Sequence, residues 1–232
     1  MNRISWWMRV FIAIFLFAGL NSCKENDAVK TEQNTLSENT VEDPVIPVKP
    51  NINKDRDIWQ KPSIVLDLLG DLSDKTVADI GAGTGYFTFR IALKAQKVIA
   101  IDIDTFSLEL INTFKRNLPP ELQGKIETRL ADPDDPQLEK EETDIIVIIN
   151  TISEISERKD YLKTLLPGLK KGGKLVIVDY KLKKLPIQEA PPQEQRVPLN
   201  ILENELAQIG YDPVISDDTS LDYQYIVFAH KK

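Results

Sequence analysis

Five short strand-like runs, most of them rich in Val and Ile, recur between residues 76 and 180: Thr76–Ile80, Lys97–Asp102, Lys125–Leu130, Asp144–Asn150 and Lys174–Tyr180. Most lack polar alternation, as strands covered on both faces should. Stretches with helical spacing separate them. Thr84–Lys94 follows a glycine loop, Thr105–Asn117 buries Leu108, Ile111 and Phe114 after a capping Asp104, and Arg158–Leu166 is closed by Pro167-Gly168. Pro62 opens an earlier helix that stops at Gly70, and Leu199–Ile209 stops at Gly210. Two last strands are expected near Tyr211–Ser216 and Tyr223–His230. Regular alternation of strand and helix predicts an α/β fold with a doubly wound, mostly parallel sheet. Ligands then bind in the crevice at the carboxyl ends of its strands.

The N-terminal quarter reads differently. Val10–Leu20 is an uninterrupted apolar run, the length of a signal-peptide core, whereas a spanning helix needs about 20 apolar residues. It breaks at Leu20-Asn21-Ser22-Cys23, which resembles the lipobox of bacterial lipoproteins; Leu20 and Ser22 match and Asn21 departs from the pattern. The resemblance implies cleavage before Cys23 and acylation of Cys23, so that the chain is anchored in the cell envelope, facing the periplasm or the exterior. The other reading keeps the leader as an uncleaved anchor with Cys23 a bystander. From 23 to 56 the chain is rich in Glu, Asn, Thr, Lys and Pro without apolar periodicity, which predicts a disordered tether. The expected organisation is a signal segment over 1–22, a tether over 23–56 and a folded domain over 57–232.

Charge and composition narrow the function classes. The chain carries a net −7, and residues 1–22 hold Arg3 and Arg9 with no acid, so the remainder is more acidic still. An acidic body is a poor partner for nucleic acid, whose affinity comes largely from Lys and Arg contacts to phosphate. One Cys and one His (His230) cannot build a disulfide framework, a zinc site of thiolates and imidazoles, or a Ser-His-Asp triad within the chain.

Asp79-Ile80-Gly81-Ala82-Gly83-Thr84-Gly85 follows the first strand and opens a helix. A dinucleotide fingerprint would be G-x-G-x-x-G, but the sixth position is Tyr86 counted from Gly81 and Thr88 counted from Gly83, so a pyrophosphate reading fails in both registers. An acid two residues ahead of three alternating glycines repels phosphate and suits an ammonium group. Asp102, at the end of the next strand, is placed to accept two hydrogen bonds from a ribose diol. The ligand is a nucleoside with a cationic tail, and S-adenosylmethionine fits that description.

VADIGAGTGYF, IAIDID, the acid in LADPDDP, DIIVIIN and LPGLKKGGKLVIVD resemble the successive motifs of class I S-adenosylmethionine-dependent methyltransferases, in order. Trp59-Gln60-Lys61-Pro62 is similar to a segment that precedes the glycine loop in the small-molecule branch. The resemblance implies a seven-stranded Rossmann-like sheet whose last strand is antiparallel. It implies that Gly81, Gly83 and Gly85 pass beneath the methionine moiety, Asp79 holds the loop and the ammonium group, and Asp102 binds the ribose. It further implies that Asp132 reads the adenine amino group and Asn150 faces the transferred methyl. Turn chemistry alone would also select the Asp and Pro of residues 132–136. Where that branch often carries a His-rich segment after the fourth strand, this chain has Thr151-Ile152-Ser153-Glu154-Ile155, so no catalytic base is assigned. Three readings stay open: a lipid-anchored methyltransferase with a small-molecule acceptor, an exported non-catalytic binding module on the same fold, and an inward-facing enzyme on a retained leader.

Overall fold

The computed structural model describes residues 54–232. The expected signal segment, Cys23 and most of the expected tether lie outside the described residues. Helix α1, Lys54–Gln60, begins on the tether side of the expected boundary at residue 56. Its Trp59 and Gln60 are buried, and burial of an aromatic ring holds a segment whose composition alone argues against order.

After α2 (Pro62–Leu69) the chain runs β1 (Thr76–Ile80), α3 (Tyr86–Lys94), β2 (Lys97–Asp102), α4 (Thr105–Lys115), a single turn α5 (Pro120–Gln123) and β3 (Ile126–Leu130). It returns through β4 (Thr143–Ile149), α6 (Arg158–Gly168), β5 (Leu169–Tyr180), α7 (Leu199–Ile209), β6 (Val214–Asp217) and β7 (Gln224–His230). Asp104 caps α4 as expected, its carboxylate accepting from the Phe106 and Ser107 backbone N–H groups at 3.2 and 3.1 Å. Several expected boundaries shift: α4 ends at Lys115 rather than Asn117, and β6 runs Val214–Asp217 rather than Tyr211–Ser216. The helix expected to stop at Leu166 runs on to Gly168, and the fifth strand starts at Leu169 rather than Lys174, with its pairing to β4 irregular between Thr143 and Ile145. Pro167 falls in the last turn of α6, where its ring ends the helix soon after rather than before.

The sheet has seven strands in the order β3-β2-β1-β4-β5-β7-β6. β7 is antiparallel to both β5 and β6, while β1 through β5 pair in parallel. The doubly wound fold with an antiparallel last strand is therefore as expected. Val77, Val147, Val176 and Val178 face one helical layer with α2 and α3, and Ala78, Ile146, Ile148 and Ile177 face the other with α6 and α7. Both faces are covered, which is why the strands read as continuous apolar runs. Among the described residues, no helix is long and apolar enough to cross a membrane. Strand order reverses between β1 and β4, so the helices that follow them leave on opposite faces and a crevice opens above their carboxyl ends.

Candidate active site

A cavity of about 780 Å³ occupies that crevice. Its walls bring together Asp79, Gly81, Gly83, Asp102, Asp132 and Asn150, six of the seven pocket residues expected from the sequence, although they span more than seventy positions. The volume lies in the usual range for small-molecule sites.

Asp79, one residue before the end of β1, is 3% exposed. Its Oδ2 accepts a hydrogen bond from Thr88 Oγ1 at 2.6 Å. Burial pushes the carboxyl up to about 6, opposed by the Thr88 hydroxyl and the nearby Arg56 guanidinium. A carboxylate held in so dry a place gains most from an incoming cation. Asp102 ends β2 and is already fixed on both oxygens: Gly83 N–H donates to Oδ2 at 2.7 Å and Asp104 N–H to Oδ1 at 2.9 Å. A carboxylate offers about four lone-pair sites, so each oxygen keeps one for a ligand hydroxyl. The same bond ties the glycine loop to β2, as do the Gly81 and Ala82 N–H groups that donate to the Ile101 carbonyl at 2.9 and 3.1 Å.

The three glycines divide by surroundings. Gly81, Gly83 and Gly85 all have positive φ, 71°, 52° and 87°. A Cβ on Gly81 would overlap the Thr151 side chain, and one on Gly85 would lie 2.6 Å from the Phe89 ring. A Cβ on Gly83 would meet no protein atom within 4 Å. Gly83 is thus a backbone cradle open to the cavity, whereas Gly85 caps α3 and does not line the cavity.

Asp132 lines the cavity in an exposed turn, bridged to Asp135 through the backbone, with Oδ2 accepting from Gln137 Nε2 at 3.1 Å. Asn150 follows β4 at φ 60°, a left-handed conformation that Asn tolerates better than most side chains. Gln224 Nε2 donates to its Oδ1.

Three side chains not assigned above as site residues also line the cavity. Arg56 and Trp59 reach the cavity from α1, and the Trp59 ring packs 6.0 Å from that of Tyr180. Tyr86 also lines it, its hydroxyl donating to Asp57 Oδ1, which in turn pairs with Arg90 at 2.8 Å. Asp179, fully buried at the end of β5, accepts from Tyr180 N–H at 2.6 Å. The Ile152 and Ser153 amides approach it without completing a hydrogen bond, so Oδ2 has no partner among the described residues. Burial holds this carboxyl at about 6. Asp179 thereby backs the turn Ile152–Glu154, and that turn carries Glu154 into the cavity wall.

The fold is a doubly wound α/β sheet with its cavity at the point where strand order reverses. Residues 71–220, more than half of the chain, match the methyltransferase-domain family, and the chain belongs to that family. It is 36% identical over 100 residues to a magnesium-protoporphyrin O-methyltransferase of Rhodobacter capsulatus, covering 43% of this chain and 42% of that protein. It is 27% identical over 137 residues to a demethylmenaquinone methyltransferase of Lactococcus lactis, covering 58% and 52%. The chain spans about half the length of these curated relatives or less. A SAM-dependent methyltransferase from Aquifex aeolicus shares the fold with a TM-score of 0.68 at 22% identity, over 77% of this chain and 94% of that one.

Proposed function

We propose that this protein is an S-adenosylmethionine-dependent methyltransferase with a small-molecule acceptor, held at the cell envelope by a lipid on Cys23. The observation that carries the cofactor is the convergence of Asp79, the open Gly83 cradle and Asp102 on one cavity. The residues fit the cofactor: Asp79 would hold its ammonium group, Gly83 would let its methionine arm lie against the backbone, and Asp102 would take the ribose diol. Asp132 and Asn150 border the same space, toward the base and the reacting methyl. Bound there, the cofactor would supply a methyl activated on a sulfonium to an acceptor heteroatom. The chain's part is alignment and exclusion of water, because proximity and orientation alone supply much of the rate in such transfers.

The relatives named for magnesium-protoporphyrin and demethylmenaquinone support a small acceptor. The exposed acids on the cavity walls, Asp132, Asp134, Glu154, Glu157, Asp160 and Glu189, oppose a polyanionic one, nucleic acid included. Calorimetry of the purified protein against S-adenosylmethionine and S-adenosylhomocysteine is expected to show saturable binding of both. Asp102→Ala is expected to lose about 1.5–3 kcal/mol of that affinity through the charge-assisted ribose hydrogen bonds. No heat and no thermal shift at millimolar ligand would remove the cofactor reading, and binding without turnover of any acceptor would return the chain to a binding module.

The tether is proposed from residues 10–23 alone. Expressed in a bacterium with the lipoprotein pathway, the mature chain is expected to begin at Cys23 with added acyl mass, and Cys23→Ser to keep its leader. Two or more acyl chains suffice for stable anchoring. An intact Met1 or a free Cys23 thiol in the wild type would overturn export and return the domain to the cytoplasmic face.

A further inference from the structure

Arg56 is the one Lys, Arg or His among the described residues that line the cavity. It is half-buried, and its one side-chain hydrogen bond among those residues runs from Nε to Gln60 Oε1 at 2.5 Å. The guanidinium carbon sits 3.9 Å from the Tyr86 ring centroid, a distance at which the ring face attracts a cation without neutralising it. Arg90 lies equally close to the same ring but is paired with Asp57 at 2.8 Å. Of two guanidiniums on one tyrosine, then, Arg90 has its carboxylate within the protein, and no described residue supplies one to Arg56. Burial pulls the pKa of Arg56 down, with Asp79 close enough to oppose the effect. A planar five-donor group in this position is suited to a bidentate carboxylate.

We infer that Arg56 receives the α-carboxylate of the cofactor's methionine end, so that Arg56 and Asp79 together read an amino-acid zwitterion. The inference rests on the cofactor reading above and adds a residue to it. An α-amino acid carries its ammonium and its carboxylate on one carbon, so partners for the two must sit side by side. Arg56 and Asp79 both face the cavity, from α1 and from β1, and each is the nearby opposite charge that perturbs the other. The acceptor side offers no equivalent demand, since the other charged side chains on the walls are carboxylates.

The test compares S-adenosylmethionine with its decarboxylated analogue, which keeps the sulfonium, the ammonium, the ribose and the base and lacks only the carboxylate. Wild-type protein is expected to bind the complete cofactor roughly tenfold or more tightly than the analogue, the worth of one charge-assisted bidentate contact. Arg56→Gln is expected to erase the difference by weakening only the complete cofactor, with an unchanged melting temperature, and Arg56→Lys to restore part of it. Equal affinities in the wild type, or an Arg56→Gln protein that keeps the wild-type preference, would overturn the inference while leaving the cofactor reading intact. Equal weakening of both ligands would make Arg56 a packing residue of α1 and overturn it as well. Binding of neither ligand by the wild type would take down the cofactor reading, and the inference with it.

Discussion

Asp79→Asn is expected to raise the melting temperature of the unliganded protein and to lose most of its cofactor affinity. The carboxyl titrates at about 6 in the fold against an ordinary 3.8, because burial penalises its charged form. An acid whose pKa is raised by folding binds its proton more tightly folded than unfolded. Its contribution to stability is therefore most favourable below about pH 4 and is lost as pH rises from there through about 6. At neutral pH the penalty is about 1–3 kcal/mol at 1.36 kcal/mol per unit, and Asn removes it while still accepting the Thr88 hydroxyl. For a domain of this size that is a gain of roughly 2–10 °C. The ammonium partner is lost at the same time, weakening S-adenosylmethionine by about 10–100-fold. Wild-type affinity is expected to fall as pH drops through about 6, and the Asn variant to show no such fall. A lower melting temperature, or an unchanged affinity, would mean that Asp79 is a structural acid rather than the cation's seat. Asp179, also held at about 6, carries a stability penalty of the same sign, so the substitution flattens the wild-type pH–stability profile only in part.

That a binding group should destabilise the fold carrying it explains what could be read from the sequence. Asp102 stands out there because it terminates an apolar run, and Asp79 because it lies two residues ahead of three alternating glycines; an acid near the end of a buried strand needs a reason. The alternation of strand and helix places both at the same edge of the sheet, so the core of the site was legible, while the seven strands with an antiparallel last one followed from the resemblance and their order only from the structure. Arg56 was not legible, because residues 24–56 have the composition of a tether, and what orders α1 is Trp59 and Gln60 going under against the rest of the domain, a tertiary effect that no local pattern reports. Asp179 ends the apolar run Leu175–Val178 as Asp102 ends Val98–Ile101, and that signal was available. Gln224 had no signal at all. It meets Asn150 only because β7 runs antiparallel beside β5, which brings the start of the last strand to the same edge as the ends of the others.

The three alternating glycines are equivalent on paper and differ in space, and substituting them one at a time is expected to separate ligand room from packing. Gly83→Ala places a methyl where no protein atom lies within 4 Å, so the domain tolerates it apart from the left-handed backbone at φ 52°, which costs a non-glycine residue about 1–2 kcal/mol. The methyl projects into the cavity, and a ligand lying against the Gly83 backbone has to retreat from it. Affinity for S-adenosylmethionine and S-adenosylhomocysteine is expected to fall by roughly tenfold or more, and Gly83→Val, with two further carbons, to show no measurable binding while circular dichroism still reports the fold. Gly81→Ala drives the same methyl into the Thr151 side chain, and Gly85→Ala sets it 2.6 Å from Phe89 in the packed core. Both carry a similar backbone cost, and overpacking adds about 1–3 kcal/mol. Their main readout is therefore a lower melting temperature, with weakened binding as a consequence of lost structure. A folded Gly83→Val protein with wild-type affinity would move the ligand away from this loop. The ordering itself is the sharper check: if Gly83 variants proved the least stable of the three and Gly81 variants bound the most weakly at equal stability, Gly81 rather than Gly83 would be the residue beneath the ligand.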